Sequence, residues 1–156
     1  MNTTEQFYQD CGNIILLSTS MEHTLGVHLT MFLKNRRLLQ SPENVNEFTH
    51  KTFNEKIKLL QRLCEEKKTN IERKERLLKA LREMKNIRNQ VGHWGMFYIP
   101  ETGGYKLQNI KSEKEEPLDA GNAVKQMNDN YSIAYRELLE LYNQLFYPET
   151  SRDENT

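Results

Sequence analysis

Arg88 and His93 are the two side chains of this protein that most directly suggest chemistry. They stand five positions apart in Lys85-Asn86-Ile87-Arg88-Asn89-Gln90-Val91-Gly92-His93-Trp94. A guanidinium carries a permanent charge and a fork of donors that suits a phosphate. An imidazole exchanges protons near neutral pH. Arg88 follows Met84 by four residues and Leu81 by seven, so at helical spacing it leaves the edge of the face that carries the core and must be paired or used. At about 100° per residue Asn89 and His93 share a face, whereas Arg88 and His93 diverge by about 140° on an unbroken helix. Gly92 and Gly95 are the positions most able to end that helix. The spacing therefore predicts a helix ending near Gln90, with His93 swinging on Gly92 to meet Arg88 over one phosphate-sized target.

The elements that must position this pair read as helical. Thr3-Thr4-Glu5-Gln6 can cap a first helix, along which Phe7, Cys11, Ile14, Ser18, Met21, Leu25, His28 and Phe32 repeat at four and three. Lys34, Arg36 and Arg37 suit its C-terminal end. Glu22 flanks that stripe and is the carboxylate expected to meet Arg88. His23 reads as solvent-facing and His28 as a hydrogen-bonded core histidine. A connector from Ser41-Pro42 leads past a solvated His50 to Thr52-Phe53-Asn54-Glu55, which caps a second helix with Phe53, Ile57, Leu60 and Cys64 inward. The third helix starts after Lys67-Lys68-Thr69-Asn70 and aligns Leu77, Leu81, Met84 and Val91.

Beyond Trp94 the helical period stops. Met96 to Ile99 and Tyr105 to Ile110 bracket Pro100-Glu101-Thr102-Gly103-Gly104, which predicts a β-hairpin walling the Arg88/His93 site. Trp94 serves as core anchor or base-stacking platform. A last helix beginning near Pro117-Leu118-Asp119 carries Val124, Met127, Tyr131, Ala134, Leu138, Leu141 and Leu145, a regular seam for a bundle partner or a dimer. The expectation is one all-α domain over residues 1–147, an antiparallel bundle of four to five helices with a hairpin inserted before the last, and a polar tail over 148–156.

Composition narrows the classes. The chain has 156 residues, zero formal net charge and 28% charged residues, so no global electrostatic footprint for nucleic acid is present and any such contact must be local. Nine basic residues against five acidic ones between Glu65 and Arg88 make that segment the local positive stretch. Cys11 and Cys64 are isolated and read as reduced structural cysteines. The apolar run Ile14 to Leu17 is too short to span a bilayer, and the expected location is cytoplasmic. Phosphate-cradling glycine loops, HExxH, CxxC and serine elbows are all missing from the sequence. Neither metal nor cofactor is expected.

Arg88-Asn89-Gln90-Val91-Gly92-His93 resembles the motif of HEPN domains (higher eukaryotes and prokaryotes nucleotide-binding), an arginine followed after four to six residues by a histidine, with a polar residue after the arginine. Its place at the end of a late helix in a small helical chain is similar too, although similarity of sequence is confined to the motif. The resemblance implies a metal-independent endoribonuclease of the toxin or defence type, acting as a homodimer on RNA and leaving a 2′,3′-cyclic phosphate and a 5′-hydroxyl. It implies His93 of both subunits as base and acid, Arg88 as the cation at the phosphate, and Asn89 and Glu22 as support. Trp94, Tyr98 and Lys85 are expected beside the substrate, and an antitoxin or regulatory protein as a further partner. Some toxins of the family carry a modifiable tyrosine two residues after the histidine. Gly95 stands there in this chain, with Tyr98 nearby. The alternative is a non-catalytic module of the same build that binds RNA, nucleotide or a partner protein.

Overall fold

The helices begin where side chains stand in for missing amide partners. Thr52 and Glu55 form a reciprocal capping box, Thr52 Oγ1 accepting from the Glu55 amide and the Glu55 carboxylate from the Thr52 amide. Asn70 accepts from the Arg73 amide, and Asp119 accepts from the Asn122 amide. The computed structural model describes residues 4–35, 46–112 and 114–148. Its elements are α1 (Thr4–Lys34), α2 (Phe53–Glu66), α3 (Ile71–His93), β1 (Gly95–Ile99), β2 (Gly104–Gln108) and α4 (Ala120–Phe146). The expected cap at Thr3, the helix end at Arg36 and Arg37, the connector from Ser41 to Asn44 and the tail over 149–156 lie outside the described residues.

Side chains bury along one stripe of each helix. Ile14, Met21, Leu25 and Leu29 of α1 meet Leu60 of α2, Leu81 and Met84 of α3, and Met127 and Leu138 of α4 in a single core. The expected antiparallel order needs correction. Phe7 lies by Ala120, Ser20 Oγ bonds Tyr131 Oη, and the rings of Phe32 and Phe146 stack at 6.5 Å, so α1 and α4 run the same way. Arg82 reaches Gln61 while Lys85 reaches Asn54, so α3 runs against α2. Only α3 opposes the other three. The reason lies between α1 and α2: the Glu47 amide bonds Thr30, Asn46 bonds His23 and Lys56 pairs with Glu22, so the chain comes back along α1 before α2 begins, and α2 runs the same way as α1.

That hairpin pairs Met96 with Leu107 and Tyr98 with Tyr105, and Gly103 supplies the positive φ of its turn. Leu107 and Leu118 exchange backbone hydrogen bonds on its other side. Phe7, Leu107 and Ala120 form a small second core with Trp94 and Val91 against it. The 14-residue α2 is much shorter than the 31-residue α1 and the 23-residue α3. At about 1.5 Å per residue it covers roughly half their length. The last turns of α3 and the first half of α1 are therefore left open on the flank α2 would occupy.

Two buried polar groups on α1 carry consequences for stability. Ser18 is fully buried and its hydroxyl has no hydrogen-bond partner. Ser18→Ala is expected to raise stability by about 1 kcal/mol, because an unsatisfied buried hydroxyl is costly, and the midpoint of urea unfolding measures this. A lower midpoint would show that the hydroxyl holds something in place. His28 is buried, its Nδ1 within 2.9 Å of the Thr24 carbonyl and its ring 5.6 Å from that of Phe32. Burial pushes its pKa down, the Thr24 hydrogen bond opposing in part. The unfolded chain then takes up a proton at higher pH than the folded one, so stability is full above about pH 6.5 and falls below it toward the folded pKa. His28→Gln is expected to flatten the unfolding midpoint between pH 7 and pH 5, and an unchanged slope would remove His28 as its source.

Candidate functional site

The exit of α3 differs from the expectation in one decisive respect. The helix does not stop at Gln90 but continues through Gly92 to His93, and the Trp94 amide closes it on the Gln90 carbonyl at 2.8 Å. Gly92 has no positive φ and is helical. Arg88 and His93 therefore keep their separation of about 140° around the axis, and His93 does not swing toward Arg88.

Gly92 has a different effect. The line that bisects Arg88 and His93 passes between Gly92 and Asn89, each about 30° from it, with Lys85 one turn earlier almost on it. A side chain at position 92 would meet nothing within 4 Å. The surface over position 92, between the cation and the imidazole, is therefore open, with the Asn89 side chain beside it. Arg88, Asn89 and His93 are all exposed, and none makes a hydrogen bond or ion pair with any described residue. A phosphate resting on Gly92 and Asn89 has Arg88 on one side and His93 on the other. The carbonyl end of the helix repels an anion on its axis, which favours this lateral seat.

The supporting residues separate into those the fold brings here and those it does not. Lys85 borders the open face and is tethered by Nζ to Asn54 Oδ1 at 3.3 Å. Glu22 does not meet Arg88. Its carboxylate lies 3.5 Å from Lys56 Nζ, whose side chain is almost wholly buried, so the carboxylate is committed to the cation buried beside it. Trp94 is half-buried against the small second core and acts as its anchor, not as an exposed stacking plane. Tyr98 is exposed in β1, its ring 5.6 Å from that of Tyr105. The hairpin follows directly from His93, and its strands pair with each other from Gly95 to Gln108.

Much of the positive stretch in α3 is engaged elsewhere. Arg73 and Arg76 both reach the buried Glu137 of α4, at 3.5 and 3.0 Å, and Arg82 bonds Gln61. The permanent cations at the exit are thus few and local: Arg88 and Lys85. Lys56 was missed as a site neighbour, although its place between Phe53, Ile57 and Leu60 on the inward face of α2 was a readable signal. Concavities form elsewhere, including an open groove of about 640 Å³ between α1 and α4 beside Leu16, Ser20, Val124 and Tyr131. Among the described residues no cluster of three or more histidine, cysteine, aspartate or glutamate side chains is arranged as a metal site. No helix among them is long and apolar enough to cross a membrane. No family model, curated protein or solved structure matches this chain.

Proposed function

We propose that this chain is a metal-independent endoribonuclease of HEPN type that works as a homodimer. The observation that carries the reading is the open seat over Gly92 and Asn89, with an exposed, unpartnered Arg88 and an equally free His93 on its two sides. RNA supplies its own nucleophile, the 2′-hydroxyl. His93 of one subunit takes the hydroxyl proton and His93 of the other protonates the leaving 5′-oxygen. Arg88 stabilises the charge that gathers on the phosphorane oxygens, and Asn89 orients the phosphate. The products are a 2′,3′-cyclic phosphate and a 5′-hydroxyl. One chain offers one proton-transfer residue at this exit, which is why the reaction calls for two. A toxin or defence role in the cytoplasm, with an antitoxin or regulatory protein as partner, goes with the same reading.

One observation favours a second reading, the non-catalytic module that holds RNA, nucleotide or a protein. The unbroken helix keeps Arg88 and His93 on separate sides of the exit. Incubation of the purified full chain with labelled RNA in excess EDTA decides between the two. Fragments ending in 2′,3′-cyclic phosphate from the wild type, absent with His93→Ala and with Arg88→Ala, support the nuclease. RNA that stays whole while still bound, with the binding lost in Arg88→Ala, supports the module.

A further inference from the structure

The first half of α1 turns an unusual face to solvent. No charged residue occurs from Cys11 to Met21, in a chain that is 28% charged. Tyr8 and Leu16 are 60% and 69% exposed, and Ile15 lies exposed between them. Tyr8, Gly12 and Leu16 are spaced by four and form one ridge of the kind that interlocks when two helices cross at about −50°. Gly12 lies at its centre with a plain helical φ and open space where a Cβ would be. Glycine weakens a helix relative to alanine, and nothing inside this molecule requires it there. A second backbone crossing at Gly12 gives it a reason.

We infer that the Tyr8–Gly12–Leu16 ridge of α1 is the seam on which a second copy of this chain docks, and that this pairing assembles the site at the α3 exit. The ridge is self-complementary. With Gly12 against Gly12, the twofold axis sets Tyr8 of each copy on Leu16 of the other and closes the gap left by the glycines. Uncharged faces meet without stranding an ion.

The geometry of α3 joins this seam to the site, and here the inference rests on the nuclease reading. Phe7 and Cys11 share a small core with Val91 and Trp94, and Glu22 is level with Lys85 through the first turn of α2. Arg88 is thus level with the stretch from Cys11 to Ser18, beside Gly12. On α1, the direction to α3 lies about 120° around from the ridge. A twofold axis perpendicular to the line joining the two α1 helices leaves both α3 exits on the same side of the dimer. At 8–10 Å between neighbouring helices their axes stand about 20 Å apart. The crossed α1 pair floors the cleft between them. Arg88 and His93 of both copies wall it.

Sedimentation at micromolar concentration tests the seam without reference to RNA. The wild type is expected at twice the chain mass. Gly12→Arg and Leu16→Glu are expected at the mass of one chain, with helical content and melting kept, their self-association weakened about tenfold or more. Gly12→Cys in a Cys11→Ser background is expected to oxidise to a covalent dimer, because the two positions face each other across the axis. Phe97→Lys, in the exposed β1 edge, is expected to leave the dimer whole. A wild type at the mass of one chain, a dimer that both ridge variants leave intact, a dimer lost only in Phe97→Lys, or a Gly12→Cys that does not cross-link overturns the inference. A dimer on this seam that never cuts RNA removes the nuclease reading and keeps the interface. RNA cutting by a dimer that both ridge variants leave intact removes the interface and keeps the nuclease reading.

Discussion

On the proposed mechanism His93→Ala is expected to lower metal-free RNA cleavage by about 10²–10⁴-fold, the contribution of a positioned proton-transfer group, while leaving the fold unchanged. The second half follows from exposure: the His93 ring is exposed and makes no hydrogen bond or ion pair with a described residue. Arg88→Ala is expected to cost about 10²–10³-fold, the scale for removing one charge-stabilising donor. Arg88→Lys restores only part of that, since an ammonium lacks the planar fork. Mixed dimers sharpen the result. With one His93 as base and the other as acid in a shared cleft, a dimer of one wild-type and one His93→Ala subunit falls far below half the wild-type rate. If each subunit cuts alone, the mixed dimer keeps half the wild-type rate. Co-expression with two affinity tags isolates the mixed species, and gel analysis of labelled RNA reads the rate.

Glu137→Ala is expected to destabilise the fold by about 2–3 kcal/mol, the low side of what breaking a buried ion pair costs. Glu137 is 5% exposed on α4 and takes Arg76 at 3.0 Å and Arg73 at 3.5 Å from α3. Without the carboxylate these two guanidinium groups face each other across the α3–α4 contact. The loss stays moderate because the Arg76 side chain is half exposed and can turn to water, while Glu140 lies 3.8 Å from Arg73. Such a loss lowers the melting temperature by about 5–10 °C in a domain of this size. Glu137→Leu should recover part of the loss by refilling the space with apolar volume. An unchanged midpoint in Glu137→Ala would show that the cluster contributes nothing net.

Ser18 and Glu137 mark the boundary of what a linear reading can see. Ser18 stands in the α1 stripe and Glu137 beside the α4 stripe, and both are buried. Whether a polar atom there is paired depends on which helix arrives opposite. Glu137 meets two arginines from α3, whereas Ser18 meets none. Glu22 shows the same limit from the other side. Its place at the edge of the α1 stripe was legible, but its partner came from α2, whose buried Lys56 lies 3.5 Å away.

Local signals determined the elements of this protein: the Thr52-to-Glu55 box, the Asn70 and Asp119 caps, the Gly103 turn and the four apolar stripes all lie within a few residues of what they specify. Hydrogen-bond partners at short range and helical periodicity are written along the chain, so the helices and the hairpin could be read from it. Tertiary structure alone decided the direction of the helices, the partner of Glu22, and the fate of Gly92. A glycine only permits a break, and at position 92 the packing of Val91 and Trp94 against Phe7 holds the helix on to His93. Arg88 and His93 are for that reason the two flanks of an open seat and not the two jaws of a hinge.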